Sequence, residues 1–223
     1  MNRMQIKVIS DLEYTVSGIS VPDFKHRRYC VFDLEATGID AATEHITQIG
    51  AVRIENGEIQ TEHTFNCLVK PPKPIPKAVE RFTGIYNAAL EHAPRFKEAY
   101  EDFAAFTKDC ILITHAGYEF DLPLLAKECA SNHLSMLGND CLDTKALFSY
   151  LHPEDTHIIN TDYLIKHYAI NDQNLKRHDA SADSILIGRI ALRIMEEFEN
   201  RNQQDIALLD PVTVKRFQIN PLT

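Results

Sequence analysis

The chain has 223 residues, 44% of them hydrophobic and 25% charged, which is the balance of a folded globular protein with one core and excludes a disordered or fibrous chain. Its 32 acidic against 23 basic residues, a formal net charge of −9, exclude a broad footprint on duplex DNA, which needs many Lys and Arg contacts to phosphate. A small nucleic-acid site stays open, because bound divalent metals reverse the local sign of a carboxylate pocket.

Residues 1–26 form an N-terminal extension, in which Asp11 and Glu13 interrupt the apolar stretch that a signal peptide requires. No apolar run reaches the ~18 residues of a membrane span. The five cysteines, Cys30, Cys67, Cys110, Cys129 and Cys141, lack metal-binding spacing and read as reduced thiols. A cytoplasmic protein without a membrane partner is therefore expected.

A domain is expected over residues 27–200. Tyr29 to Leu34 reads as its first strand, followed by Ile46 to Ile54 and Ile59 to Val69 around Asn56-Gly57, a strong signal for a type I′ hairpin. The proline cluster Pro71 to Pro76 ends the sheet pattern, and Lys77 to Ile85 reads as a short helix closed by Gly84. After Pro94, the spacing of Phe96, Tyr100, Phe103 and Phe106 predicts an amphipathic helix whose aromatic stripe is core. Then come a buried strand at Cys110 to Thr114, a helix at Glu119 to Ala130, and a short strand at Asp140 to Leu142 with Asp143 or Thr144 capping the next helix. Asn160-Thr161 caps a further helix to about Tyr168, and a long helix runs from near Asp179 to about Glu199. Residues 201–223 read as a polar tail. A hairpin first and strand–helix alternation after it make an α/β, three-layer fold with a mixed sheet.

Two acids stand in the first strand. Asp33 and Glu35 are two residues apart, so their side chains leave the same face with Cα atoms roughly 6.5 Å apart. Unpaired carboxylates that close raise each other's pKa unless a cation lies between them, and oxygen ligands suit a hard ion such as Mg²⁺ or Mn²⁺. The pair by itself is equally the solvated end of a strand. Asp121 follows a buried strand in apolar company, as a charge with a partner or as an acid at a helix N-terminus. His178 and Asp183 lie five apart and share no helical face, so they converge only if His178 precedes the helix and Asp183 projects from its first turns, with Asp179 as N-cap. His152 and His167, like His45, His63, His92 and His133, lie in no motif.

Three segments taken together, "FDLEATG", "HAGYEFDLPLL" and "HDASADS", resemble the three motifs of the DEDD superfamily of 3′–5′ exonucleases, histidine branch, the group of the proofreading epsilon subunit, oligoribonuclease and RNase T. The resemblance runs from about Arg28 to Glu199 and implies an RNase H-like fold. It implies that Asp33, Glu35, Asp121 and Asp183 hold two Mg²⁺ or Mn²⁺ ions and that His178 is the general base. It implies substrate contacts from Ala36, Thr37 and Gly38, from Thr83, Gly84 and Ile85, and from His115 and Phe120 of the second motif. That motif carries Ala116 where Asn is usual and is one residue longer before Phe-Asp. The substrate implied is the 3′ end of single-stranded DNA or RNA, released as nucleoside 5′-monophosphates in proofreading, repair or RNA trimming.

Proofreading would require a polymerase or clamp partner, and the tail "QINPLT" bears only a faint likeness to a clamp-binding peptide, having no aromatic residue. Two other readings compete. A metal phosphohydrolase of another class, prompted by His178-Asp179, needs a mostly helical domain, against which the Asn56-Gly57 hairpin argues. A catalytically silent binding module needs one of the five chemical groups to be missing.

Overall fold

The computed structural model describes residues 4–218. In chain order the elements are β1 (Gln5–Val8), β2 (Glu13–Ser17), β3 (Ile19–Val21), β4 (Tyr29–Ala36), β5 (Ile46–Glu55), β6 (Glu58–Leu68), α1 (Lys77–Thr83), α2 (Asn87–Leu90), α3 (Phe96–Phe106), β7 (Ile111–Thr114), α4 (Asp121–Ser131), β8 (Cys141–Asp143), α5 (Thr144–Leu151), α6 (Thr161–His167), α7 (Ala180–Asn200), β9 (Ile206–Leu208) and β10 (Val212–Lys215). None of the described helices is long and apolar enough to cross a membrane.

The central sheet has the order β6-β5-β4-β7-β8. The β5–β6 hairpin turns at Asn56 (φ 54°) and Gly57 (φ 75°), the positive-φ pair that its dipeptide demands. Strand β4 pairs antiparallel with β5 and parallel with β7, which pairs parallel with β8. The carboxyl ends of β4, β7 and β8 therefore share one edge, where open α/β sheets place their ligands.

Strand β4 alternates between two covered faces. Phe32 packs on Phe103 of α3 with ring centroids 5.6 Å apart, and Phe65 of β6 packs on the same ring and on Phe106. Val31 faces Gly188 of α7, so Asp33 and Glu35, on the same parity, also leave toward the α7 face. The long helix α7 lies across β4 and β5, with α5 and α6 beside it, while α3 covers the opposite face. This is the mixed α/β layering expected from the element order.

The ends of the chain depart from the sequence reading. Strand β2 pairs with both β1 and β10, and β3 pairs with β9. Tyr14, Val16, Ile206, Leu208 and Val214 join the main hydrophobic core. Over residues 206–215 the polar tail is thus corrected to two strands completed by residues 13–21, a pairing across nearly the whole chain that local pattern cannot reveal. The clamp-like peptide lies, but for Gln218, outside the described residues.

Candidate active site

The strand β4 delivers Asp33 and Glu35 rigidly, because its apolar residues are buried on both faces. The N-terminus of α7 is brought onto them by two features of β5. Gly50, the partner of Asp33 in the sheet, lies so close under α7 that a Cβ there would sit 2.0 Å from the carbonyl carbon of Ala180. Gln48, opposite Glu35, accepts the Ala180 amide at 3.1 Å. As a result Asp33, Glu35 and Asp183 each offer a carboxylate oxygen within 4.8 Å of the other two.

Asp121 opens α4 behind this group, buried at 4% exposure, with the Thr114 hydroxyl 3.4 Å from Oδ2. The longer second motif is absorbed upstream of it. Ala116 adopts φ 57°, Gly117 passes so close over Thr114 that a Cβ would overlap its side chain, and the Leu122 amide bonds back to the Gly117 carbonyl. Asp143, N-cap of α5, braces the loop by accepting the amides of Ala116 and Tyr118, each at 3.2 Å.

Burial raises all four carboxyls, and repulsion among them adds to it at Asp33 and Glu35. Asp33 is pushed well above its ordinary value by burial, then by Asp121, Glu35 and Asp183. Glu35 is pushed up to about 8 by burial, then by Asp183 and Asp121. Asp121 rises to about 7 through burial and then the charge of Asp143. Asp183 rises through burial, which Arg177 and the His178 amide only partly offset. An all-carboxylate cluster that resists ionisation on its own fits hard divalent cations, whose charge removes the repulsion.

His178 and Asp183 converge as their spacing requires. His178 lies in the loop before α7 with φ 60°, its amide donates to Oδ2 of Asp183 at 2.7 Å, and Asp179 caps α7 by accepting from Ser181 and Ala182. The imidazole of His178 stacks on Phe82 of α1 at 3.9 Å between centroids. Burial is the main reason that its pKa lies below the ordinary value, with Asp183 opposing, so the ring is neutral at pH 7. Arg177, which the sequence reading missed, donates from Nε to Oδ1 of Asp183 at 3.1 Å and is itself held by Asp162 and Thr161, both at 2.7 Å. The only signal for it was adjacency to His178.

A pocket beside Glu35 is lined by Leu34, Ala36, Gly38, Ile39, Val79, Phe82, Thr83 and Phe120. Of the expected contact residues it contains Ala36, Gly38, Thr83 and Phe120. The other four are placed elsewhere. Thr37 is buried, its amide donating to the His45 carbonyl at 2.8 Å and its hydroxyl to Glu44. Gly84 is the left-handed cap of α1 (φ 74°), with the Lys176 amine close over it. Ile85 packs in a small cluster with Ile75, Val79 and Leu90. His115 is buried against Thr144 at 2.9 Å and is pushed down to about 3 by burial, then by Lys145 and Arg177. Phe82 and Val79 were missed because a lone apolar residue on a short helix reads as core.

A family model described as exonuclease, RNase T type, matches residues 30–191. The PolC-type DNA polymerase III of Latilactobacillus sakei is 27% identical over 195 residues, which is 87% of this chain and 13% of that protein. The 3′-5′ exonuclease DinG of Staphylococcus haemolyticus is 26% identical over 174 residues, 78% of this chain and 19% of that protein. The chain thus spans less than a fifth of the length of these curated relatives. Among solved structures, the nuclease domain of 3′hExo, a DEDDh family member bound to rAMP, superposes with TM-score 0.68 at 16% identity, covering 77% of this chain and 93% of that one. Exonuclease X in complex with 5′ overhanging duplex DNA gives TM-score 0.61 at 20% identity, covering 76% and 92%. At these identities the likeness shows the fold, which is RNase H-like.

Proposed function

Since the chain belongs to the RNase T exonuclease family, we propose that it is a 3′–5′ exonuclease domain of the DEDDh kind, removing nucleotides one at a time from the 3′ end of single-stranded DNA or RNA through Asp33, Glu35, Asp121, His178 and Asp183. The family is divalent-metal dependent. Here Asp33, Glu35, Asp121 and Asp183 would hold two Mg²⁺ or Mn²⁺ ions, which when bound lower the pKa of a water and neutralise charge developing on the phosphate.

The chain's own groups do the rest. Neutral His178 takes the proton of the attacking water on an imidazole nitrogen, and the Phe82 stack and the Asp183 bond to its backbone hold the ring in place. The water oxygen bonds to phosphorus as the bond to the 3′ oxygen of the preceding nucleotide breaks. A nucleoside 5′-monophosphate leaves, and the strand ends in a new 3′-hydroxyl. Phe82, Phe120 and Val79 offer apolar walls for the terminal nucleoside, and at Gly38 a Cβ would crowd the Glu44 side chain at 2.9 Å. Arg177 fixes the orientation of Asp183 through Oδ1.

The observation that carries this reading is the convergence of Asp33 and Glu35 from one strand with Asp183 from a distant helix. Full-length protein with Mn²⁺ should shorten a 5′-labelled strand stepwise from its 3′ end, and Asp33→Ala should abolish the ladder. Failure of the wild type on matched DNA and RNA strands overturns the reading, and the ratio of the two rates assigns the sugar. The PolC-type relatives support a polymerase as partner, which copurification or a gain in rate on polymerase-bound mismatched primer would reveal.

A further inference from the structure

Far from the carboxylates, the helical layer gathers a second set of metal-ligand side chains. His152 follows the end of α5, His167 ends α6, and Glu197 lies in the last turns of α7. Each presents a ligand atom within 4.8 Å of the other two. Asp183 and Glu197 are on one helix roughly four turns, or about 21 Å, apart, so the two groups are separate.

The geometry suits an ion. Nε2 of His152 stands 3.0 Å from Oε1 and 3.1 Å from Oε2 of Glu197. Ligands bound at ~2.0–2.1 Å to a tetrahedral ion lie ~3.3 Å apart, so entry between them takes shifts of a few tenths of an ångström. The surroundings resemble the outer shell of a built metal site. Tyr168 donates to Glu197 at 2.8 Å and Arg201 at 2.6 Å. These bonds fix both carboxylate oxygens of Glu197, Oε2 by Tyr168 and Oε1 by Arg201. Nδ1 of His152 stands 3.6 Å from a carboxylate oxygen of the exposed Glu154. The His152 ring stacks on Phe148 at 4.3 Å, and the His167 ring lies 5.2 Å from His152 and 4.7 Å from Tyr168. His167 is exposed, which opens the fourth position to water.

We infer that His152, His167 and Glu197 form a second metal site, which takes one Zn²⁺ or a similar imidazole-preferring transition ion and ties α5, α6 and α7 together. Two nitrogens and one carboxylate select such ions, whereas the nuclease carboxylates select Mg²⁺ or Mn²⁺. The site does not depend on the nuclease assignment.

The test uses the full chain in millimolar Mg²⁺, added to compete at the carboxylate cluster, titrated with Zn²⁺ by calorimetry and with Co²⁺ for its tetrahedral visible absorption. The expected result is one bound equivalent with a raised melting temperature. His167→Gln, at an exposed position, should weaken binding at least ~10-fold with metal-free melting near wild type, Glu197→Gln should weaken it likewise, and Asp33→Asn should retain it. No binding by the wild type, wild-type affinity in His167→Gln, or loss of binding in Asp33→Asn would each overturn the inference.

Discussion

The amide of His178 donates to Oδ2 of Asp183 across 2.7 Å, so the proposed base and the carboxylate of Asp183 are joined through the backbone of a left-handed residue. Residues five apart do not share one face of a helix, and the chain resolves this by placing His178 outside α7 and folding it back over the helix N-terminus.

Replacing His178 by Ala should lower kcat by roughly 10²–10⁴-fold, the usual worth of a general base, while Mn²⁺ affinity measured by calorimetry changes little. Because burial lowers its pKa, the neutral base persists below pH 6.5, and the acid limb of the wild-type rate profile should fall at a pH under that value. A limb at or above 6.5 would mean that another group titrates.

Gly50→Ala places a methyl 2.0 Å from the Ala180 carbonyl carbon. The helix must lift from β5, carrying Asp183 away from Asp33. We expect a loss of about 1–3 kcal/mol in urea unfolding together with a large fall in activity at saturating Mn²⁺. Normal activity in this variant would show that the close approach is dispensable.

Arg177→Ala frees Oδ1 of Asp183 and should reduce metal affinity or turnover by roughly 10–100-fold, as loss of an orienting partner does. Arg177→Lys should recover little, because the present side chain bridges Asp183, Asp162 and Thr161 with separate nitrogens.

The folded pKa values of Glu35, about 8, and Asp121, about 7, lie above the ordinary carboxylate values. The folded chain then binds protons that the unfolded chain has lost, so the metal-free protein should lose stability as pH rises from about 4 through 8. Differential scanning calorimetry in EDTA should show a falling melting temperature across this window. Mn²⁺ should remove most of the fall, and Asp33→Asn in EDTA should melt higher than wild type at pH 8.

Phe217 covers the buried Lys145 amine at 3.8 Å, and its amide donates to Glu119, the ion-pair partner of Lys145. Phe217→Ala should cost about 2–4 kcal/mol of stability in chemical denaturation, where a detached tail would cost nothing.

Much of the site was legible in the chain. Apolar runs, the Asn56-Gly57 turn and the aromatic stripe of α3 are local signals, and β4 to α7 follow them within a few residues. Asp33, Glu35, Asp121, His178 and Asp183 stood out because three ordered segments together resemble the motifs of one nuclease superfamily, whereas each residue alone read equally well as a solvated or capping group. The contact residues were less legible. Thr37, Ile85 and His115 lie in or beside the motifs, yet their groups go to His45, a hydrophobic cluster and Thr144.

The order of elements and the turn chemistry were determined by the sequence itself, since each depends on residues within a few positions of one another, and the candidate reactive side chains were marked by three ordered motifs. Only the tertiary structure decided which groups meet. The approach of α7 to Gly50, the bracing of Asp183 by Arg177, the union of β2 with β10, and the gathering of His152, His167 and Glu197 join residues far apart in the chain. Such contacts are selected by burial and packing of the whole core, and no local spacing records them.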